Sequence, residues 1–217
     1  SITSLCQSAD GYLWLATYGE LYRFDGVSFK NYKEESGITT PRCFYQDSHG
    51  TMWIGTTVGL YSYSRGIFSH VELGTKNTQR SITAITELHD GTILFGTQSG
   101  IFVFDGKQFS ERSIEYDVSN MIVWCITETE DGQIWIGTDR GVRRKTSSFV
   151  EQIDTTSGYL KHNVVRSIIE DRFGNMWMGT GGGGITRYRE GRFSTFTTAD
   201  GLPSNVIRVL YEDRNGS

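Results

Sequence analysis

Cysteine is scarce in this chain. Cys6, Cys43 and Cys125 are the only three in 217 residues, and three cysteines do not make a disulfide framework. Histidine is equally sparse, and His49, His70, His89 and His162 have no metal-ligand spacing, so neither a metal nor another cofactor is expected. No apolar run approaches the length needed to cross a bilayer, which excludes membrane contact by this chain itself. No signal-peptide pattern opens it: the first residues from Ser1 are strand-like, and both ends read as cut from something longer. Positive charge is not in excess. A net charge of −4 argues against a general phosphate-binding surface and so against a nucleic-acid partner. No 3.6-residue apolar period and no helix-cap pattern is found, so helix content should be near nil. Hydrophobics at 37% and aromatics at 13% are nevertheless enough for a packed β core.

What the chain has is repetition. A turn glycine returns at Gly11, Gly50, Gly91, Gly132, Gly174 and Gly216, a period of about 40 residues that marks a propeller or solenoid array. The surrounding text returns as well: Asp10-Gly-Tyr-Leu-Trp-Leu-Ala-Thr17, His49-Gly-Thr-Met-Trp-Ile-Gly-Thr56, Asp131-Gly-Gln-Ile-Trp-Ile-Gly-Thr138. Each copy reads as four short strands. In the fifth copy these are Val164–Glu170, Asn175–Thr180, Ile185–Tyr188 and Arg192–Phe196, with a turn at Asp171–Gly174 and a tight hairpin at Glu190-Gly191. Four antiparallel strands per repeat make a propeller blade. The expected fold is therefore an all-β propeller of four-stranded antiparallel blades at about 1–36, 37–76, 77–117, 118–158 and 159–201, with 202–217 as the first strand of a sixth. Five complete blades and one extra inner strand suggest an incomplete arc of a larger propeller; the alternative is a closed five-bladed ring with a loose tail.

The repeat also sorts residues. Those that recur in register are architectural: Trp14, Trp53, Trp135 and Trp177, with Leu94 in the third copy, form a core column. Seven positions before each glycine the residues are small (Ser4, Cys43, Ala84, Cys125, Ser167, Val209), so Cys43 and Cys125 are expected to be buried. Glu87, Glu128, Glu170 and Glu212, with Gln7 and Gln46, recur four before the glycine; a periodic acid column fits inter-blade hydrogen bonding better than a unique glycosidase pair. The run Arg143-Arg144-Lys145 reads as a solvated blade face. Thr180-Gly-Gly-Gly-Gly184 lacks the Gly-Lys-Ser/Thr of a phosphate loop, and could instead let a ligand or a neighbouring backbone come close.

The fullest statement of the phrase is Asn163-Val-Val-Arg-Ser-Ile-Ile-Glu-Asp-Arg-Phe-Gly-Asn-Met-Trp-Met-Gly-Thr180, with the lead-in Asp200-Gly-Leu-Pro-Ser-Asn205. It resembles the two-component regulator propeller repeat over essentially the whole chain. That resemblance implies an extracytoplasmic, periplasmic sensor region ahead of a membrane helix and a histidine kinase, hybrid two-component or diguanylate cyclase output. It also implies missing blades or an output domain as partners and, in some such systems, a link to oligosaccharides. A homodimer is compatible with a sensor that reports dimer geometry.

Binding residues gather on variable loops of a rigid scaffold. Here these are the second-to-third strand loops and the inter-blade connections Asn31–Thr40, Gly74–Arg80, Glu115–Asn120, Asp154–Asn163 and Thr197–Asn205. Eight positions before the glycine the register breaks, at Thr3, Arg42, Thr83, Trp124, Arg166 and Arg208. A Trp among arginines could stack a sugar ring and bind its hydroxyls or an acidic group. Tyr18, Gln98, Asp139 and Arg140 join from the loops, and Tyr159 and His162 reach the same face. The competing reading pairs these arginines with nearby carboxylates. No catalytic residues are assigned. A protein–protein scaffold is a second expectation; a carbohydrate-active enzyme, with Glu20 and Asp139 as its only loosely suitable carboxylates, is a remote third.

Overall fold

The structure, a computed structural model, describes residues 2–73, 81–213 and 215–216; the connection Gly74–Arg80 lies outside them. It resolves into two compact units, Ser1–Glu111 and Arg112–Ser217.

The first unit holds three sheets. The first is β1 (Ile2–Gln7), β2 (Leu13–Thr17), β3 (Leu21–Phe24) and β4 (Phe29–Asn31), followed by one helical turn, α1 (Lys33–Ser36). The second is β5 (Pro41–Gln46), β6 (Met52–Thr56), β7 (Gly59–Ser64) and β8 (Ile67–Val71). The third is β9 (Ile82–Glu87), β10 (Ile93–Thr97), β11 (Gly100–Phe104) and β12 (Phe109–Glu111). The second unit holds two more: β13 (Val123–Glu128), β14 (Ile134–Thr138), β15 (Gly141–Lys145) and β16 (Val150–Ile153), then β17 (Val165–Glu170), β18 (Met176–Thr180), β19 (Ile185–Arg189) and β20 (Arg192–Phe196). All five are antiparallel meanders in chain order, the blades of an all-β propeller fold. Among the described residues the only helices are α1 and a 3-10 turn at Thr198–Asp200.

The repeated glycine is what closes each inner hairpin. Gly50, at φ +84°, and Gly174, at φ +74°, donate their N–H to the carbonyls of Asp47 and Asp171, three residues back; this left-handed backbone strongly favours glycine. The second glycine of the phrase has a different cause. Gly55 sits opposite Cys43, and Gly137 opposite Cys125, in the ladder. A Cβ on Gly137 would lie 2.5 Å from the Cys125 sulfur and 2.8 Å from the Val165 carbonyl of the next blade. Small residues thus stand face to face where consecutive blades converge.

Consecutive blades within a unit are joined in a repeating way. The Ala9 N–H donates to Gln46 Oε1 at 2.6 Å, Ser48 to Glu87 at 2.7 Å, and Glu130 to Glu170 at 3.0 Å. The periodic Glu/Gln column is therefore an inter-blade strut. The Trp column is core: Trp14, Trp53 and Trp135 are buried. On the inner strands, the face buried at Ile82, Val123 and Val165 is exposed at Ile2, which is 56% accessible, and Leu5, equivalent to Ile85 and Ile168, is 55% accessible. No blade of its unit covers that face of β1.

The extra inner strand expected after Leu202 is only partly a strand. Residues 206–212 join the last sheet through one isolated antiparallel bridge, Val206 to Gly181. Among the described residues they hold the seat of an inner strand without a ladder. Glu212 accepts from the Arg172 N–H at 3.1 Å, as its counterparts do in the earlier blades.

Candidate functional site

Every inner strand carries a β-bulge, and each lies at the column that breaks the repeat. In the second blade Pro41 pairs with Thr56 and Cys43 with Gly55, leaving Arg42 unpaired. In the same way the ladder skips Thr3, Thr83, Trp124 and Arg166. A bulge re-aims the side chain of its extra residue, so the five positions least constrained by the repeat are also those freed from the ladder.

In the first unit the bulge residues reach to the next blade. Thr3 Oγ1 donates to the Pro41 carbonyl at 3.3 Å, and Arg42 Nη1 donates to Ser81 Oγ at 3.0 Å. Ser81 is a buried hydroxyl, so Arg42 is paired with a neutral acceptor and not with a carboxylate. Tyr18, in the β2–β3 loop, is 77% exposed. Glu20 accepts from the Tyr22 hydroxyl and from Lys33; those bonds, Tyr22 first, hold its carboxyl below the ordinary range.

In the second unit two bulge residues meet. The Arg166 guanidinium lies 5.0 Å from the centre of the Trp124 ring, a cation–π contact between adjacent blades. The Trp124 indole nitrogen is buried and has no hydrogen-bond partner among the described residues, while Arg166 is exposed. Arg208 occupies the same column in the terminal segment and is exposed. Asp139 clamps the approach to β13: its N–H donates to the Ile122 carbonyl and its carboxylate accepts from the Ile122 N–H at 2.9 Å. Its neighbour Arg140 is exposed, with its backbone N–H bonded to Thr138 Oγ1.

His162 explains the tetraglycine. Its Nδ1 accepts from the Val164 N–H at 3.1 Å, and its ring lies on Gly181 and Gly182. A Cβ on Gly182 would stand 3.1 Å from that ring, and one on Gly183 2.8 Å from the His162 nitrogen. The four glycines admit a neighbouring chain segment. Tyr159 is elsewhere: it stacks on Phe193 at 4.2 Å, near the β19–β20 hairpin, at the other end of the blade from Trp124 and Arg166. Of the residues expected on one face, the structure brings Trp124 and Arg166 into contact, sets His162 on the neighbouring loop, and puts Tyr159 apart.

The basic run is a correction. Arg143 is 3% exposed and not solvated. Its Nε donates to the Asp117 carboxylate at 2.8 Å and to the Asp117 carbonyl. Arg144 stacks over Trp135 and Tyr188 and bonds Gln133 and Glu151. Only Lys145 keeps a surface role, 3.9 Å from Glu115. Arg143 pairs with a loop residue 26 positions away in the chain, which local spacing does not reveal.

Cys43 and Cys125 are half-buried and not, as expected, fully enclosed; desolvation still pushes their thiols up to about 12, so neither is a nucleophile at neutral pH. Among the described residues no group of three His, Cys, Asp or Glu could hold a metal, and no helix is long and apolar enough to cross a membrane. A cavity of about 210 Å³ lies at the opposite end of β17 from Arg166, lined by Ile169, Phe173, Trp177, Leu210, Tyr211 and Glu212 among others. Sequence reasoning missed it; its one signal was that Trp177 is the last of its column.

These features match known proteins. The two component regulator propeller model matches residues 1–19, 36–57, 117–140 and 159–182. No curated protein matches the chain. Among solved structures, it is similar to the extracellular domain of the hybrid two component system BT3049 from B. thetaiotaomicron, at 26% identity and a TM-score of 0.87 over 99% of this chain and 31% of that one. The extracellular domain of BT4673 from the same organism is 19% identical, with a TM-score of 0.70 over 99% of this chain and 36% of that one. The chain thus spans about a third of either. Virginiamycin B lyase from Staphylococcus aureus, at 16% identity and a TM-score of 0.68 over 90% of this chain and 69% of that one, shares the fold. By its repeated phrase and by the blades that phrase builds, this chain carries matches to the two component regulator propeller model in its first, second, fourth and fifth blades.

Proposed function

We propose that this chain is the non-catalytic propeller of an extracytoplasmic bacterial sensor, and that its bulge column recognises a ligand of the oligosaccharide class. The observation that carries this reading is the coincidence of two independent features: the column that departs from the repeat, with Arg42, Trp124 and Arg166 in it, is the column that the bulges release from the ladder. Trp124 offers a ring of the type that stacks on a sugar, and the exposed Arg166 and Arg208 are suited to hydroxyls and acidic groups. Arg140 and His162, in the same unit as Trp124 and Arg166, supply further polar reach. The extracellular domains of BT3049 and BT4673 support the extracytoplasmic location and the two-component sensor context. Absence of catalysis rests on the engaged state of the two carboxylates first considered, Glu20 bonded to Tyr22 and Lys33, and Asp139 to Ile122.

Isothermal titration with neutral and uronate-bearing oligosaccharides tests this. Binding weakened at least about ten-fold by Trp124→Ala supports it. If no glycan binds while changes at blade contacts alter signalling in the parent protein, ligand recognition gives way to a sensor of geometry.

A protein–protein scaffold is favoured by one observation. Arg166 already covers the Trp124 ring, and the cavity of about 210 Å³ lies at the other end of the blade. On that reading the bulge face is a filled, flat docking surface, and Arg166→Ala weakens a protein partner instead of a sugar.

A further inference from the structure

Two blades that are followed by another in the same unit set an arginine of the third strand opposite the column tryptophan. Trp14 pairs with Arg23 in the first blade, and Trp135 with Arg144 in the fourth. Each guanidinium lies over its own Trp ring, at 5.8 Å and 5.3 Å. Their partners differ.

Arg144 has a full set of acceptors. Its Nε donates to Gln133 Oε1 at 2.6 Å. Its Nη1 donates to Glu151 Oε2 and to the Tyr188 hydroxyl of the next blade, both at 3.1 Å. Gln133 directly follows the turn glycine, and Glu151 is the ladder partner of Arg144 on the fourth strand.

In the first blade both of those acceptors are replaced. Tyr12 directly follows the turn glycine, and the ladder partner of Arg23 is Lys30. The Arg23 guanidinium meets ring faces instead: Tyr12 at 4.1 Å, Tyr32 at 5.5 Å and Trp14. Arg23 is half-buried, and among the described residues its side chain has neither a carboxylate nor a hydrogen-bond acceptor. Lys30 lies over Tyr32 at 4.4 Å and pairs with Glu35 at 3.0 Å. That pair is more than half exposed on each side, so it is weak and opens easily.

Two cations directly opposite in a ladder destabilise it. Cation–π contacts engage the charge of Arg23 but none of its N–H donors, and that fork matches an oxyanion. We propose that Arg23 and Lys30, walled by Tyr12 and Tyr32, form a binding site for an oxyanion group, carboxylate, sulfate or phosphate, of an external ligand. The ligand supplies to Arg23 the acceptors that Gln133 and Glu151 supply to Arg144. The site lies in the first unit and does not depend on the reading of Trp124 and Arg166, which belong to the second.

The test follows the arginine Nε–H resonances of the full chain by NMR. Sodium acetate, sulfate and phosphate are titrated separately, with chloride keeping the ionic strength constant. Arg23 should shift along a saturable curve while Arg144, whose Nε is already bonded to Gln133, stays in place. The anion that saturates at the lowest concentration identifies the group. Lys30→Glu restores the fourth-blade pair and should weaken binding at least about ten-fold, because it sets a like charge against the anion. Lys30→Gln adds no charge and should weaken it less; an unmoved Arg144 resonance checks that both variants fold. Shifts that never saturate, equal movement of Arg23 and Arg144, or undiminished binding in Lys30→Glu overturns the proposal.

Discussion

The Trp177 indole nitrogen donates to the Asp171 carboxylate at 2.8 Å, six residues back in the chain. The same carboxylate accepts from the Phe173 and Asn175 N–H groups and from the Asn175 side chain, so one residue shapes the turn and orients the core ring. Burial raises the Asp171 pKa, but the bonds from Trp177 and Asn175 outweigh it and leave the carboxyl below its ordinary value of 3.8. A folded-state pKa below the unfolded one means that this contribution is complete above the ordinary carboxylate range. It fades as pH falls through the lowered value. Asp171→Ala should cost about 1–3 kcal/mol at neutral pH, measured by urea denaturation. Asp171→Asn, which keeps an acceptor, should cost less and flatten the loss of stability as pH falls below the ordinary carboxylate value.

Asp47 serves Trp53 identically, at 2.8 Å. In the fourth blade Thr129 occupies that position. Its hydroxyl turns to Asp131 at 2.5 Å, and the buried Trp135 nitrogen has no partner among the described residues. Thr129→Asp should supply the missing acceptor and raise stability by about 1 kcal/mol, the net worth of one buried hydrogen bond. A lower midpoint in chemical denaturation would show that the Thr129–Asp131 turn matters more than the orphan donor.

The glycine two places beyond Trp135 is fixed by what faces it. A methyl on Gly137 meets the Val165 backbone carbonyl at 2.8 Å, and a backbone oxygen of an adjacent blade cannot step aside as a side-chain tip can. Gly137→Ala should therefore cost about 1–3 kcal/mol through overpacking. Ala16 is tolerated at the equivalent place in the first blade, where Ser4 instead of Cys stands across the ladder. Thermal melts of Gly137→Ala alone and with Cys125→Ala separate the two contacts; the double change should recover only the share due to the sulfur.

Much of this molecule is legible in its sequence because the blades repeat. Twenty strands, the turn glycines, the Trp column and the Glu/Gln struts all recur in register, and recurrence turns a weak local signal into a strong one. The bulge column was visible only as a break in register. That the break is a skipped ladder position is a matter of hydrogen-bond pairing, which residue identity does not encode. Arg143 was misread for a related reason: its partner Asp117 lies on a variable loop, where no repeat predicts contacts. Tyr159 was assigned by its connection, yet the connection folds down the blade and stacks it on Phe193.

The cysteines provide a reading of native packing. Burial holds the Cys43 and Cys125 thiols near a pKa of about 12, and raises that of Cys6 as well. Because only the thiolate reacts, a disulfide reagent at pH 8 should leave Cys43 and Cys125 unmodified in the native protein and label all three after unfolding. Rapid native labelling of Cys43 or Cys125 would mean that the blades separate on the time scale of the reaction.

Asp154 is the strongest pH sensor of the fold. It is buried at the end of β16 and accepts from the Ser157 and Thr156 N–H groups, both at 2.9 Å, from the Thr156 hydroxyl and from Gln152. These bonds, Ser157 first, lower its carboxyl from 3.8 to about 2. Its stabilising effect is thus complete above the ordinary carboxylate range and is lost as pH falls towards about 2. Asp154→Ala removes that term at every pH above it. The variant should melt below the native protein at pH 7, by several degrees for a loss of roughly 1–3 kcal/mol, and the two melting curves should converge as pH approaches 2. A gap that persists unchanged at low pH would show that the residue acts through packing and not through its charge.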